Sequence, residues 1–252
     1  MDFTNKRVLV TGGARGIGRA IARAFADRGA RVAVGYRDNE AAAQETLRSL
    51  AGGGHVALGG DLADAGTARR VVESAVEALG GLDVLVNCAG IGVHHPLDAV
   101  DYEAWQAAWQ RILAVNLVAP ANTSYVAARH MMAHGGGRIV NVGSRGAFRG
   151  EPDQPAYGAS KAGLHAMSQS LAQHLAPHGI GVGVVAPGFV ETAMARSRLE
   201  GPGGDAIRAQ SPLGRVARPE EVAHAVLFLA SEEAFFSTGA IIDVNGASYL
   251  RG

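Results

Sequence analysis

The sequence predicts an α/β fold, a doubly wound parallel sheet with helices on both faces, on three observations. About seven short β-rich runs alternate with longer segments of helical spacing. The runs are apolar on both sides of their alternation, as expected for strands buried twice. A glycine cluster separates the first run from the first helical segment, where open sheets of this kind bind their ligands. At 252 residues and 48% hydrophobic content the chain can bury one sizeable core, so a single domain over 1–252 is expected.

The elements follow in order. Arg7–Val10 is apolar and runs into Thr-Gly-Gly; Ile17–Asp27 then has helical spacing and stops at Arg28-Gly29, a helix-ending signal. Further strands are read at Arg31–Val34, Val56–Leu58, Val84–Val86, Arg138–Val142, Ile180–Val185 and Ile241–Val244. Helices are expected over Glu40–Leu50, Thr67–Leu79, Tyr102–Met132, Tyr157–Ala176 and Pro219–Ala230. Strands spaced by helices need crossover connections, and these build a parallel sheet. Glu200–Asp205, rich in glycine and proline, reads as a flexible loop tip.

Composition narrows the function. Lys+Arg and Asp+Glu both count 23, which offers no excess basic charge for nucleic acid or an anionic membrane. One cysteine cannot form an intrachain disulfide. The N-terminus lacks a signal-peptide core, and no run reaches the ~18 apolar residues of a membrane span. A soluble, cytoplasmic protein is expected.

Thr11-Gly12-Gly13-Ala14-Arg15-Gly16-Ile17-Gly18 joins the first strand to the first helix. Glycine permits the tight turn and lets a pyrophosphate reach backbone amides at the helix N-terminus. With 35 glycines the Gly-x-x-x-Gly-x-Gly pattern arises about 0.7 times by chance, so its position after the first strand carries the reading. A dinucleotide and a Rossmann fold are expected. At the end of the second strand, a carboxylate favours the ribose hydroxyl of NAD, whereas arginine suits the 2′-phosphate of NADP. Here the chain reads Tyr36-Arg37-Asp38, and Arg37 with Arg15 could clamp a phosphate, so NADP(H) is favoured over NAD(H). Asp38 could still reach a hydroxyl.

Only Lys6 and Lys161 are lysine, and Lys161 stands four residues after Tyr157, on one helix face. Chance gives about 0.04 such spacings for five tyrosines and two lysines. A free phenol with pKa ~10 exchanges protons poorly near neutrality. A cation at about 4 Å contributes about 4 kcal/mol at an effective dielectric of ~20. That is enough to bring the phenol close to neutrality.

With the glycine turn, Asn87-Cys88-Ala89-Gly90, Asn116, Ser144, Tyr157/Lys161 and Pro187-Gly188 in this order, the whole chain resembles the short-chain dehydrogenase/reductases. It looks most like their 3-oxoacyl-carrier-protein-reductase-like members. The resemblance implies that Tyr157 is the general acid/base and that Lys161 holds the nicotinamide ribose and depresses the phenol's pKa. Ser144 would bond the substrate carbonyl, and Asn116 would hold a water in a proton relay. Gly12, Arg15, Gly16, Ile17 and Gly18 would cradle the pyrophosphate end. Asp61 with Leu62 would meet the adenine, Asn87, Ala89 and Gly90 would line the cleft, and Thr192, following Pro187, Gly188 and Val190, would meet the carboxamide. Where the family commonly has a second Asn, this chain has Cys88, which removes an amide donor from the turn.

The substrate is expected to be a small carbonyl or alcohol, most simply a 3-oxoacyl thioester on acyl carrier protein. Its walls are expected from Ile91–Pro96, Arg145–Gln154 and a lid over Phe189–Gln210, with His94, Phe148, Arg149 and Met194 as the candidate residues. Carrier-protein reductases of this kind often present basic rim residues where this chain has Gly135 and His178; Arg129, Arg138 and Arg149 could substitute. A broad ketone, sugar or polyol reductase is the alternative. Other classes fit less well. His130 and His134 share a helix face, but Met131 stands where a metalloprotease has its Glu, and no metal is expected. Val142 breaks a serine-hydrolase elbow around Ser144. A non-catalytic dinucleotide sensor would have no use for Tyr157 and Lys161. The resemblance also implies a homotetramer, packed through Tyr102–Met132 and Tyr157–Ala176, with Ala240–Leu250 at another interface.

Overall fold

The computed structural model describes residues 1–251. Seven parallel strands, β1 (Arg7–Thr11), β2 (Arg31–Tyr36), β3 (Val56–Gly59), β4 (Val84–Asn87), β5 (Gly137–Val142), β6 (Ile180–Pro187) and β7 (Ile241–Val244), form one sheet in the order β3-β2-β1-β4-β5-β6-β7. The order reverses between β1 and β4, and their carboxyl ends open a crevice there.

Alternation along β1 explains the two layers. Val8 and Val10 face a core shared with Ile21 and Phe25 of α1 (Gly16–Ala26) and with Val226 and Leu227 of α10 (Pro219–Ala230). Leu9 points the other way, into a core with Val72 of α3 (Ala65–Leu79), Met131 of α5 (Ala119–Ala133) and Leu175 of α7 (Pro155–Leu175). A fully buried aliphatic side chain stabilises by about 1.5–3 kcal/mol relative to exposure, so a strand apolar on both sides belongs only in such a sandwich.

Polar caps set the helix starts. Asn39 accepts from the Ala42 amide at 2.9 Å to begin α2 (Glu40–Arg48). Asp64 accepts from Thr67 N at 2.7 Å at α3, and Asp101 from Ala104 N at 2.8 Å at α4 (Tyr102–Leu113). Gly80, at φ +74°, ends α3.

Tyr102–Met132 is not one continuous helix. Between α4 and α5, Ala114–Val118 forms a π turn with Asn116 inside it. Wide turns of this kind cluster at functional sites. The segment after β6 also carries two short helices that the sequence did not signal, α8 (Ala193–Glu200) and α9 (Gly204–Ala209), so the expected loop tip at Glu200–Asp205 is the bend between them. A further short helix, α6 (Gly146–Arg149), follows β5. Among the described residues, no helix is long and apolar enough to cross a membrane.

Candidate active site

A cavity of about 640 Å³ runs along the carboxyl ends of the strands, from the glycine turn to Tyr157. At one end are Gly12, Arg15, Gly16, Ile17 and Gly18, at the other Ser144, Tyr157 and Lys161, with Ala89, Gly90, Pro187, Gly188, Val190 and Thr192 between them.

The glycine turn is built for close approach. A Cβ on Gly18 would sit 2.2 Å from the Gly12 carbonyl oxygen, so helix α1 can meet the turn only without a side chain there. Gly12, at φ +66°, would place a Cβ 2.9 Å from Ala89 Cα. The neighbouring turn after β4 is held by Thr11, whose hydroxyl accepts from Cys88 N and Ala89 N, both at 3.1 Å. Thr11 thus holds this turn through its backbone, with no side-chain amide needed at position 88. Burial pushes the Cys88 thiol up to about 12, against the pull of Lys161, which suits a packed cysteine.

Lys161 is 5% exposed and donates to the Val142 carbonyl at 2.8 Å. Burial brings its pKa down to about 8, while Cys88 acts in the opposite direction. Its ammonium lies 5.9 Å from the Tyr157 ring centroid, and Lys161 is not among the charges that move the phenol. The Tyr157 phenol accordingly moves up, not down. Burial dominates and the Glu151 carboxylate adds to it, whereas Ser144 and the Arg198 charge pull the other way.

Asn116 is fully buried and ties the π turn to the loop after β4. Its Oδ1 accepts from Ile91 N and its Nδ2 donates to Ile91 O, both at 2.9 Å, with a further bond to Ser160 Oγ at 3.2 Å. A Cβ on Gly90 would lie 3.5 Å from Asn116 Oδ1 and 3.6 Å from Lys161 Nζ. Both groups therefore stand directly behind the cleft at Gly90.

Three of the expected residues are not among those that line the cavity. Asn87 does not line the cavity: its side chain donates to Asn141 Oδ1 at 2.8 Å and Ser124 Oγ at 3.1 Å, and accepts from Thr123 Oγ1 at 2.8 Å, beneath the floor. Phe148 turns away and packs beside His165 and Tyr249, with the Arg251 guanidinium 4.7 Å above its ring. Arg149 is exposed and reaches Gln210 Oε1 at 3.3 Å instead of the cavity. His94 and Met194 do line it.

Toward the glycine-turn end, Asp61 accepts from Arg111 Nη2 at 2.8 Å and from Ala63 N at 3.1 Å. Burial raises its carboxyl pKa, but these donors together hold it below the usual range. Arg37 bonds Asp38 through Nε at 2.8 Å, whereas Arg15 stands exposed.

Sequence reasoning did not single out Arg111, Arg145, Glu151, Gln154, His165 or Arg198, although four of them fall within the expected wall segments. Arg145 follows Ser144 and is 3% exposed, bonding Ser248 and Gln210 and lying over the Phe189 ring at 5.2 Å. His165 accepts from Ser144 N at 3.4 Å, and burial, with Lys161 adding to it, brings its pKa down to about 4. Proximity to Ser144 is the signal that marks Arg145; Arg198 is one of several arginines in the expected lid, and nothing in its neighbours distinguishes it. His130, one of the two histidines with metal-like spacing, accepts from Leu82 N at 3.2 Å.

The residues fit a dinucleotide: a side-chain-free turn at a helix N-terminus, a cavity of suitable size and a lysine at its far end. A family model described as enoyl-(acyl carrier protein) reductase matches residues 12–247. The chain is 41% identical over 250 residues to the 3-oxoacyl-(acyl-carrier-protein) reductase FabG of Escherichia coli, covering 99% of this chain and 100% of that protein. It is 40% identical over 247 residues to cis-4-hydroxycyclohexanecarboxylate dehydrogenase of Sinomonas cyclohexanicum, covering 97% and 96%. A short chain dehydrogenase from Burkholderia cenocepacia J2315, solved in complex with NADP, superposes with a TM-score of 0.87 at 35% identity, covering 98% of this chain and 99% of that one. The chain belongs to the short-chain dehydrogenase/reductase family of oxidoreductases, which act between CH–OH and C=O and bind NAD(P).

Proposed function

We propose that the protein reduces the ketone of a 3-oxoacyl thioester carried on acyl carrier protein, using NADPH, with Tyr157 as the proton donor. The observation that supports this best is the meeting of Ser144, Tyr157 and Lys161 at one end of the cavity that begins at the glycine turn. The bound nicotinamide supplies the hydride. Ser144 and Tyr157 polarise the carbonyl oxygen, and Tyr157 gives it a proton. A phenol raised by burial is fully protonated at neutral pH, the form that reduction needs. Asn116 and Lys161, both behind Gly90, are suited to hold a water that returns the proton.

For the cofactor, Arg15 stands exposed at the turn, and the exposed Arg37 is paired with Asp38, a partner that a 2′-phosphate would displace. A higher kcat/KM for NADPH than NADH, reversed toward NADH in Arg37→Ala, is the expected result. Equal use of both by the parent would remove the preference. Asp61 and Leu62, which line the same end of the cavity, are the groups proposed for the adenine.

Carrier docking is supported by similarity to carrier-protein reductases and by exposed Arg149, in the short helix that follows the carboxyl end of β5, whereas Arg129 lies in the part of α5 that leads to the amino end of β5. Arg138 is not available in the same way, since it donates to Ser231 O and Gly137 O and stacks on Phe235 at 4.6 Å. A second reading, a free oxo or hydroxy compound, is favoured by the relative named as a hydroxycyclohexanecarboxylate dehydrogenase; Gly135 and His178 do not bear on it, since they precede β5 and β6 at the amino ends of the strands, away from the cavity. NADPH oxidation with one 3-oxoacyl group on carrier protein and on a small thioester separates them. A much larger kcat/KM on the carrier supports docking; equal rates support the free substrate.

A further inference from the structure

Helix α8 forms part of the segment that overhangs the catalytic end of the cavity, and Arg198 is its half-buried cation there. With the Gln154 amide turned so that its oxygen faces the guanidinium, that oxygen accepts from Arg198 Nη2 at 2.5 Å and Nη1 at 3.0 Å. Gln154 is 8% exposed, and its backbone carbonyl accepts from Tyr157 N at 2.9 Å. One residue therefore links the start of the Tyr157 helix to the overhanging arginine.

Arg198 has no carboxylate within ion-pair distance among the described residues. A guanidinium carries five N–H donors. Gln154 engages the two terminal nitrogens, and among the described residues no other acceptor takes the remaining hydrogens. Arg145 differs: its donors go to Ser248 and Gln210, and its plane lies over Phe189. Glu151 lines the same end, yet it is packed over Gly146, where a Cβ would stand 2.7 Å from Oε1. The donors left on Arg198 border the space that a substrate held at Tyr157 must occupy.

We propose that Arg198, positioned by Gln154, is a specificity-determining residue that selects ketones carrying a second oxygen acceptor, a carbonyl or carboxylate oxygen, close to the reacting carbonyl. This rests on the reading of the site as a ketone reductase. Both the acyl oxygen of a 3-oxoacyl thioester and the carboxylate of an oxo acid offer that acceptor, and a plain ketone does not. Sites built to hydrogen-bond a substrate group discriminate strongly against analogues that lack it.

The test compares kcat/KM for acetoacetate, acetoacetyl-N-acetylcysteamine and 2-pentanone in the parent, Arg198→Leu and Arg198→Lys proteins, with the KM for NADPH measured alongside. Arg198→Leu is expected to lower kcat/KM about 30-fold on the two oxygen-bearing ketones, the size of one hydrogen bond to a charged group. Its effect on 2-pentanone should stay within about threefold, with the KM for NADPH unchanged, and Arg198→Lys should restore most of the loss on acetoacetate. An equal loss on all three ketones, or no loss on any, would overturn the inference while leaving ketone reduction intact. Turnover of none of the three by the parent protein would instead overturn the functional reading, and the inference with it.

Discussion

At the level of single residues, the chemistry turns on which of two opposed effects governs the Tyr157 phenol. The four-residue spacing predicts that Lys161 pulls it down, but the ammonium is bonded to the Val142 carbonyl, and burial, reinforced by Glu151, pushes the phenol up. The sign gives a pH prediction. Reduction needs the protonated phenol, which persists through neutrality, so kcat/KM for reduction should stay flat from about pH 6 to about 8. Alcohol oxidation needs the phenolate and should rise about tenfold per pH unit over the same interval. Profiles in both directions check this, and a reduction rate already falling below about pH 8 would show that Lys161 prevails. Tyr157→Phe should lose about 10²–10⁴ in turnover while NADPH still binds, as measured by nucleotide fluorescence. Residue types and spacing singled out Tyr157 and Lys161 in the sequence, and Ser144, which lines the same end of the cavity, came only with the family resemblance. The paths of Phe148 and Arg149 were not legible, because they are fixed by Tyr249, Arg251 and Gln210, far away in the chain.

Among the elements, the strands were legible to within a residue or two, since apolar character on both sides of the alternation can be satisfied only between two helical layers. The π turn was not legible. One extra residue per turn leaves the apolar pattern of Tyr102–Met132 nearly unchanged, yet it brings Asn116 against Ile91. Asn87 shows the same limit from the other side, because its place in the motif suggested the cleft while its side chain joins β4 to β5 and α5. Nδ2 reaches Asn141 and Ser124, and Thr123 donates to Oδ1. Asn141 continues the chain to Ser168 on α7 at 2.8 Å. Asn87→Ala would strand buried partners, each at about 1–3 kcal/mol. Urea unfolding should show a loss of about 2 kcal/mol, with little change in the KM for NADPH. A weakened nucleotide affinity at full stability would return Asn87 to the cleft.

For the whole molecule, two groups of exposed apolar side chains lie on different sides of the sheet, apart from those such as Met194 that border the cavity. Tyr102, Val118 and Tyr125, exposed by 70%, 47% and 66%, lie on and between α4 and α5. Phe228 on α10, Phe236 and Leu250, exposed by 43%, 103% and 77%, belong to the opposite layer and the C-terminal edge. Clusters of large exposed apolar side chains mark association surfaces more often than free surface. Two distinct self-complementary patches, each closing on a two-fold axis, generate a tetramer with three perpendicular axes. We therefore propose a homotetramer, and light scattering at micromolar protein should give four times the chain mass. Tyr125→Glu places a charge in only one of the two patches, so it should yield dimers held by the other patch. Monomer mass for the parent protein would overturn the assignment, and monomers from Tyr125→Glu would show that both patches belong to one interface.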